Sequence, residues 1–361
     1  MMKKRIVVGL SGGVDSAVVV KLLVEEGHEV IGVFMKNWDD SSDEYCPAAI
    51  DAIDARNVAA KVGIPFYTVN FSKEYWDDVF EYFLEQHRKF RTPNPDILCN
   101  KFIKFKVFLD YAKKFEADYL ATGHYAKNIY NEKTKLFDLR CAKDQNKDQT
   151  YFLYTLGQEQ LKHILFPLAG YTKPEIRKMA KSFGFENAEK KDSTGICFVG
   201  ERDYMQFLKK YLCQMPGNIV TELGEILGTH IGLSFYTIGQ RKKLNIGGVK
   251  GFEENPWFVL EKNIEKNELV ACQDADNPKL FQLELEAEKL HWVAGKIPAE
   301  SFNCRAKVRY RQTSQVCSIR KISSDKVRVK FKVPQRAITP GQSIVFYDEK
   351  NKICFGGGEI S

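Results

Sequence analysis

The sequence predicts an α/β protein with three parts: a Rossmann-like domain built on a parallel sheet, a small central domain and a C-terminal antiparallel β-barrel. Apolar strand patterns alternate with helix patterns up to about residue 125, which is typical of a parallel sheet covered by helices. From residue 281 onwards, apolar and polar residues alternate as in half-buried antiparallel strands. We expect domains at 1–209, 210–280 and 281–361, with a helical insertion near 158–188 in the first.

The N-terminal elements follow from the spacing of the apolar residues. Short β-branched or aromatic runs predict strands, and longer runs with a 3.6-residue period predict helices. We expect strands at 5–8, 29–35, 65–71 and 118–122, and helices at 17–24, 47–63, 73–90 and 101–115. Ligands of parallel sheets lie beyond the carboxyl ends of the strands. The residues that follow three of these strands are therefore candidates for one nucleotide site.

A glycine-rich turn joins the first strand to the first helix. It comprises Gly9, Leu10, Ser11, Gly12, Gly13, Val14, Asp15 and Ser16. Glycine lets the backbone approach a ligand closely, and a helix N-terminus offers unpaired N–H groups to a phosphate. The turn is neither a Walker A loop nor a Gly-x-Gly-x-x-Gly fingerprint. We interpret it as a phosphate-binding turn; the alternative is a tight turn whose glycines serve packing alone.

Two further strand ends carry candidates for the same site. Met35 ends the second strand and could pack on an adenine ring, although a lone methionine is more often a core residue. Gly123 and His124 follow the fourth strand, where Gly123 would let a ribose or base come close. The position of His124 at a strand end favours a place in the site lining.

Two of the nine cysteines lie in turn-rich segments outside the strand patterns, Cys99 and Cys197. Cys99 precedes Asn100, a good N-cap for the helix predicted at 101–115, and Lys101. A thiol at a helix N-terminus beside a lysine should have a pKa below its ordinary value of about 8.5. The alternative is that both thiols are inert. The odd number of cysteines and the absence of Cys-x-x-Cys pairs argue against a disulfide scaffold or a zinc ribbon.

The bulk composition fits a soluble globular protein. The 361 residues are 44% hydrophobic, and no apolar run approaches the roughly 20 residues that cross a bilayer. The basic N-terminus leads into the first strand rather than a signal peptide, so we expect a cytoplasmic protein without a membrane partner.

The net charge of +7 is unevenly distributed along the chain. Residues 301–340 hold eleven Lys and Arg residues against one acid, Asp325, which is a net charge of +10 in that window. Such a patch on a barrel surface favours a polyanionic partner. The alternative is a strand surface made basic for solubility.

The stretch 11–16, Ser-Gly-Gly-Val-Asp-Ser, resembles the signature of PP-loop ATP pyrophosphatases, which implies a PP-loop catalytic domain. Further stretches across nearly the whole chain are similar to the tRNA-specific 2-thiouridylase family and follow in the same order. They are residues 9–16, 34–38, 92–96 with 99–100, 121–125, 147–149, 195–198, 235–240 and 308–311.

The resemblance implies ATP-dependent thiolation at C2 of the wobble uridine of tRNA. ATP would adenylate the C2 oxygen, and sulfur would come from a persulfide on Cys197, with Cys99 as the second catalytic cysteine. A persulfide-donating sulfur carrier or cysteine desulfurase is the implied partner. Mg²⁺ on the phosphates is expected, with Asp15 as a local carboxylate, but no metal site held by the protein alone.

The resemblance also assigns substrate contacts. Asn94, Pro95 and Asp96 would meet the target base, and we hypothesise that Asp96 accepts or relays the uracil N3 proton. The tRNA contacts implied elsewhere are His124, Lys147, Asp148, Gln149, Arg309, Tyr310 and Gln342.

Three other functions remain open from the residues themselves. One is a PP-loop ligase or amidotransferase acting on a small molecule, which would need neither the two loop cysteines nor a basic barrel. Another is a catalytically idle RNA-binding module, against which the phosphate turn argues. The third is a thiolase that modifies another tRNA position.

Overall fold

The computed structural model describes residues 2–38, 47–191, 204–249 and 251–361. The elements of the N-terminal part are β1 (Arg5–Gly9), α1 (Val14–Glu25), β2 (Glu29–Lys36), α2 (Pro47–Val62), β3 (Phe66–Asn70), α3 (Ser72–Tyr75), α4 (Glu81–Arg88), α5 (Pro95–Leu98), α6 (Phe108–Lys113), β4 (Tyr119–Ala121), β5 (Lys127–Asn131), β6 (Leu136–Arg140), α7 (Thr150–Leu153), α8 (Gln158–Leu161), β7 (Ile164–Leu165), α9 (Lys173–Ser182) and α10 (Tyr204–Lys209). π-Helical turns at Trp76–Phe80 and Cys99–Val107 join α3 to α4 and α5 to α6.

The first sheet is parallel throughout, as predicted, with the strand order β3-β2-β1-β4-β7. Both of its faces are covered, because successive residues of β1 enter different cores. Ile6 and Val8 pack with α1 and α2, whereas Val7 lies in the core that contains Phe108 of α6. The carboxyl ends of β1, β2 and β4 therefore open at one edge between two helical layers.

The insertion predicted near 158–188 contains a strand as well as helices. β7 pairs with β4 and becomes the fifth strand of the parallel sheet. With two residues, β7 is too short for a strand pattern to show in the sequence. The helix after it begins as its sequence indicates, with Thr172 and Glu175 forming a capping box at the start of α9.

The described residues of the central part contain four strands: β8 (Gly217–Val220), β9 (Ile226–His230), β10 (Phe258–Asn263) and β11 (Glu268–Cys272). They form one sheet in the order β10-β11-β8-β9. β8 and β11 are parallel, and the other two pairs are antiparallel. Ile219, Val259 and Leu269 are fully buried and join the core that extends into the N-terminal part.

The C-terminal strands form a closed antiparallel barrel, which confirms the predicted architecture. They are β12 (Phe281–Trp292), β13 (Ser301–Lys307), β14 (Gln315–Lys321), β15 (Lys326–Arg336), β16 (Ser343–Tyr347) and β17 (Ile353–Ile360). The barrel closes where β17 pairs with β12. The hairpin β5–β6 also joins this sheet, because Leu139 of β6 pairs with Cys354 of β17. The sequence patterns gave no sign of this addition from the N-terminal part.

Within the part of the chain that the structure describes, no helix combines the length and apolar character needed to cross a membrane.

Gly357 allows β17 to pass between its neighbours, and we predict that Gly357→Ala destabilises the protein. An added Cβ would lie 2.4 Å from the carbonyl oxygen of Ile344 and 2.9 Å from Cδ2 of Tyr154. Extra atoms in a packed site cost about 1–3 kcal/mol, so we expect a lower Tm in thermal unfolding. Gly170→Ala is the control, because a Cβ there meets nothing within 4 Å. Equal Tm values for the two variants would contradict the packing at Gly357.

Candidate active site

The turn between β1 and α1 leaves the first amides of the helix available to an anion. Gly13 is the N-cap with an extended backbone (φ −87°, ψ 160°), and no side chain of the described residues caps the helix. The turn is held from inside, since the Ser11 N–H donates to Ser16 Oγ at 3.2 Å and the Ser16 hydroxyl donates to the Gly13 carbonyl at 3.1 Å. An open helix N-terminus after a glycine turn suits a phosphate group.

Gly12 is required by both the conformation and the packing of the turn. Its φ is +75°, and a Cβ would lie 2.4 Å from the Asp51 carbonyl oxygen on α2. Its own carbonyl accepts a hydrogen bond from Asn187 Nδ2 at 3.0 Å. The turn is therefore held between α2 and the segment that follows α9.

Asp15, in the first turn of α1, has both carboxylate oxygens occupied. Tyr125 donates its hydroxyl to Oδ1 at 2.8 Å, and Lys173 Nζ contacts Oδ2 at 2.7 Å. Lys173 is nearly buried, with 9% of its side chain exposed. The ammonium offsets a carboxylate that would otherwise repel phosphate. Sequence reasoning missed Lys173, because a lysine that opens a helix carries no pattern that ties it to a distant turn.

The turn fits the phosphates of a nucleotide better than it fits a metal ion held by the protein. Its donors are backbone amides, hydroxyls and the nearby ammonium of Lys173. Among the described residues, no group of three or more His, Cys, Asp or Glu side chains could hold a metal ion. A Mg²⁺ ligand role for Asp15, which we expected, would compete with Tyr125 and Lys173 for the same oxygens.

The other two strand ends meet this turn as predicted from the parallel topology. A Cβ on Gly123 would lie 3.0 Å from Asp15 Cβ, so Gly123 lets the end of β4 approach the start of α1. The Met35 methyl carbon lies 3.7 Å from the position a Cβ on Gly9 would take. Met35 is itself 8% exposed, at the inner face of the β2 end.

His124 lies behind the strand end rather than on the surface. Its Nδ1 is 2.8 Å from the Thr122 hydroxyl, and its ring centroid is 5.5 Å from that of Phe105. Burial, with a smaller effect of Lys104, holds the pKa of His124 well below its ordinary value. The side chain is therefore neutral at physiological pH, and the predicted tRNA contact remains a prediction.

The helix that carries Cys99 begins earlier than predicted. Asn94, not Asn100, is the N-cap: its Oδ1 accepts the Asp96 N–H at 3.0 Å, and Pro95 takes the first helical position. Asn followed by Pro is the stronger helix start, since proline has no N–H to lose there. Cys99 is consequently the fifth helical residue and fully buried. The expectation of a thiol directly at a helix N-terminus was wrong.

The approach to Asn94 is held by the other two parts of the chain. The Thr92 carbonyl accepts Gln342 Nε2 at 2.5 Å, and the Phe90 carbonyl accepts Lys262 Nζ at 2.8 Å. Burial lowers the pKa of Lys262 to about 8. Gln342 was predicted as a tRNA contact, and the structure places it, 9% exposed, at the junction with the segment before Asn94.

The second half of the helical segment 95–113 contacts the ends of β1 and β4. Phe108 Cε1 lies 3.1 Å from the position of a Cβ on Gly9, and the ring centroid of Phe105 is 5.5 Å from that of His124. Asp96 and Cys99 lie earlier on the same helical segment.

Residues 147–149 form one cluster with Arg309 and Tyr310. The Tyr310 ring lies 4.3 Å from that of Phe152, and its hydroxyl donates to the Lys147 carbonyl at 3.5 Å. Arg309 Nη2 donates to Thr339 Oγ1 at 2.7 Å. Five of the predicted tRNA contacts therefore lie together where the barrel meets the N-terminal part.

The 147–149 loop is rigidly tied to the strand end beside it. The Asp148 carboxylate accepts the Ala142 N–H at 2.7 Å, and burial raises its pKa. Gln149 exchanges two hydrogen bonds with the Tyr125 backbone, at 2.8 and 2.9 Å. Since Tyr125 also binds Asp15, this loop is connected to the phosphate-binding turn.

The basic patch at 301–340 is more compensated than its sequence indicated. Lys326 and Arg328 both pair with Glu286, at 2.6 and 2.7 Å, and Lys330 pairs with Glu284 at 3.0 Å. These acids belong to β12, the antiparallel neighbour of β15, and lie outside the window that was counted. The net charge of +10 counted within residues 301–340 therefore overstates the charge of the β15 face.

Cys197 falls outside the described residues, so its role as the persulfide carrier stays a prediction.

Comparisons with known proteins decide the family. A profile described as "tRNA methyl transferase HUP domain" matches residues 4–201, one described as "tRNA methyl transferase PRC-barrel domain" matches 205–273, and one described as "Aminomethyltransferase beta-barrel domain" matches 282–360. The tRNA-specific 2-thiouridylase MnmA of Francisella philomiragia subsp. philomiragia is 53% identical over 366 residues, covering 100% of both chains. The chain belongs to the tRNA-specific 2-thiouridylase family. This confirms the resemblance read from the motifs.

Other relatives agree with this assignment. The tRNA-specific 2-thiouridylase MnmA of Francisella tularensis subsp. novicida is 52% identical over 361 residues, again covering 100% of both chains. Among solved structures, the U34-tRNA thiolase NcsA from Methanococcus maripaludis is 18% identical, covers 51% of this chain and 58% of its own, and has a TM-score of 0.33.

We predict that Lys173→Met weakens ATP binding by about tenfold, or 1.4 kcal/mol. Without the ammonium, the Asp15 carboxylate faces the phosphates uncompensated. Isothermal titration calorimetry with ATP measures the effect. Lys162→Met is the matched control, because Lys162 pairs with Glu159 on the surface at 2.6 Å. Equal ATP affinity in the two variants would show that Lys173 has no part in nucleotide binding.

Proposed function

We propose that this tRNA-thiolating enzyme acts at C2 of the wobble uridine, by adenylation of the C2 oxygen and transfer of a persulfide sulfur. Family membership makes the chain a tRNA sulfurtransferase. One observation supports the finer proposal most: the helical segment that carries Asp96 and Cys99 near its start runs on to Phe108, which lies 3.1 Å from the position of a Cβ on Gly9, the first residue of the phosphate-binding turn. An activated base and a thiol can meet only if these two elements adjoin.

The chemistry requires an activated oxygen, because oxide is a very poor leaving group from the uracil C2 carbonyl. ATP is the co-substrate: the C2 oxygen attacks its α-phosphate, pyrophosphate leaves, and AMP becomes the leaving group on C2. The terminal sulfur of a Cys197 persulfide then attacks C2 and expels AMP. The Cys99 thiolate attacks Cys197 Sγ, forming the Cys99–Cys197 disulfide and leaving sulfur on C2. Release of sulfide by the same disulfide formation, before attack on C2, is the alternative order.

The chain's own residues would hold the reactants. The turn from Gly9 to Ser16 would bind the phosphates, and Met35 and Gly123 would adjoin the nucleoside. Asn94, Pro95 and Asp96 would meet the base, which must leave its stack to reach them. Mg²⁺ would sit on the phosphates. The contacts at His124, 147–149, 309–310 and Gln342 would hold the tRNA.

Two further expectations belong to this proposal. A persulfide-donating sulfur carrier or cysteine desulfurase would load Cys197. We also retain domain limits of 1–209, 210–280 and 281–361, with the β5–β6 hairpin as a contribution of the first domain to the barrel sheet.

We predict that Cys99→Ser and Cys197→Ser each abolish thiolation. Nucleoside mass spectrometry of an unmodified tRNA, incubated with ATP and a persulfide donor, should show 2-thiouridine at the wobble position and AMP for the unaltered protein. Cys213→Ser is the control thiol, because Cys213 is exposed and has no part in the proposed sulfur relay. Thiolation by either active-site variant would contradict the sulfur relay.

One other outcome of that experiment would redirect the assignment. AMP without a thiolated nucleoside would favour the small-molecule ligase or amidotransferase.

We predict that Asp96→Asn lowers the thiolation kcat by roughly 10²-fold or more, as for loss of a general base. The amide keeps the shape of the side chain and its place after the Asn94 cap, so the KM for tRNA should change little. Asp110→Asn is the control, since Asp110 pairs with Lys113 on the exposed face of α6. Unaltered thiolation by Asp96→Asn would remove the proton-transfer role.

A further inference from the structure

Asn37 is a buried polar side chain without a role in the site described so far. It is 1% exposed, yet neither Nδ2 nor Oδ1 has a hydrogen-bond partner among the described residues. Its neighbour Trp38 is 7% exposed, and its Nε1 also has no hydrogen-bond partner among the described residues. Buried amides are nearly always paired, because an unmade hydrogen bond forfeits the hydration of both groups.

The place of Asn37 in the fold is that of a ligand contact. It directly follows Lys36, the last residue of β2, and β2 lies beside β1, with Val33 paired to Gly9 at the start of the phosphate-binding turn. Side chains at the carboxyl ends of such strands line the ligand crevice. Met35, two residues before Asn37, has its methyl carbon 3.7 Å from the position of a Cβ on Gly9. Asn37 therefore lies at the same strand end as a residue that contacts the start of the phosphate-binding turn.

We propose that the Asn37 amide binds the Watson–Crick edge of a nucleobase. This inference rests on the proposed function, which brings two bases to the site. Adenine presents an N6–H donor beside the N1 acceptor, and uracil presents the N3–H donor beside the O4 acceptor. A primary amide supplies one donor and one acceptor side by side, and matches either edge with two hydrogen bonds.

The pairing state of Asn37 favours a base over simpler ligands. An anion would satisfy only Nδ2 and a cation only Oδ1, whereas both atoms lack partners. The depth of the amide also fits a base, because an extruded nucleotide is received in a pocket and hydrogen-bonded on its Watson–Crick edge. A buried water is the competing occupant, and it would give Asn37 a purely structural role.

The test is Asn37→Leu, which keeps the side-chain size and removes both polar atoms. Replacing unpaired polar atoms by apolar ones should leave the Tm of the ligand-free protein equal or higher. Loss of a bidentate base contact should weaken binding roughly 10- to 100-fold. An Asn37→Leu variant with an equal or higher Tm and a lower affinity indicates that Asn37 binds a ligand. If Asn37 instead had a structural role, the substitution would lower the Tm.

Two measurements distinguish the two bases. If adenine is the partner, the Kd for ATP measured by calorimetry without tRNA rises. If the target uracil is the partner, the ATP Kd is unchanged and the single-turnover thiolation rate at subsaturating tRNA falls. Unchanged values in both measurements overturn the proposal, whatever the Tm. Should Asn37→Leu not fold, Asn37→Asp keeps the shape, loses the N–H donors and is expected to give the same losses.

The control is Asn128→Leu, at a partly buried asparagine whose amide nitrogen has a partner. Asn128 Nδ2 donates to the Ile164 carbonyl at 3.0 Å, at the base of the β5–β6 hairpin. We expect a lower Tm with an unchanged ATP Kd. The ATP measurement also distinguishes this inference from the proposed function. If the unaltered protein forms no 2-thiouridine, the proposed function is refuted. The effect of Asn37→Leu on the Kd for ATP is measured without tRNA and does not depend on that result.

Discussion

The geometry of the site depends on the bend at residues 89–93, where the chain leaves one helix and enters the helix with the catalytic candidates. Phe90 adopts a left-handed conformation there, with φ of 59°. Its carbonyl accepts a hydrogen bond from the partly buried ammonium of Lys262, and the Thr92 carbonyl accepts one from the amide of Gln342. A carbonyl at a helix C-terminus is a favourable partner for a cation. The central sheet and the barrel thus each hold one carbonyl of the bend, and together they set the direction in which the next helix starts.

Local patterns were sufficient for the parts of the fold that repeat. Strand and helix periods predicted the parallel sheet, and alternation predicted the barrel. The turn after β1 could be predicted, because glycines, hydroxyl side chains and the start of a helix occur together within eight residues. The start of the next functional helix was misjudged, because Asn94 and Asn100 are both good caps. Pro95 decides between them, and the sequence did contain that signal. A strand as short as β7 carries none.

The remainder of the site could not be predicted, because it consists of pairs that only tertiary structure brings together. Lys173 and Asp15 are 158 residues apart in the chain. Glu284 and Glu286 offset the basic strand only because β12 is its neighbour in the barrel. A charge count within a stretch of sequence assumes that its residues face only one another. In a sheet, however, neighbouring strands can come from distant parts of the chain and bring opposite charges. Cross-strand partners have to be known before the charge of a face can be stated.

The hairpin β5–β6 and the last strand of the barrel have a consequence for biosynthesis. β17 pairs with β6, and the Tyr82 hydroxyl donates to Glu359 across 277 residues of chain. An N-terminal part that has just left the ribosome must hold an unpaired strand edge until those residues are translated. Contacts of such separation slow folding, and open strand edges invite wrong partners in the interval. The order of synthesis is therefore opposed to the order of assembly, and the edge of β6 stays open until β17 has been made.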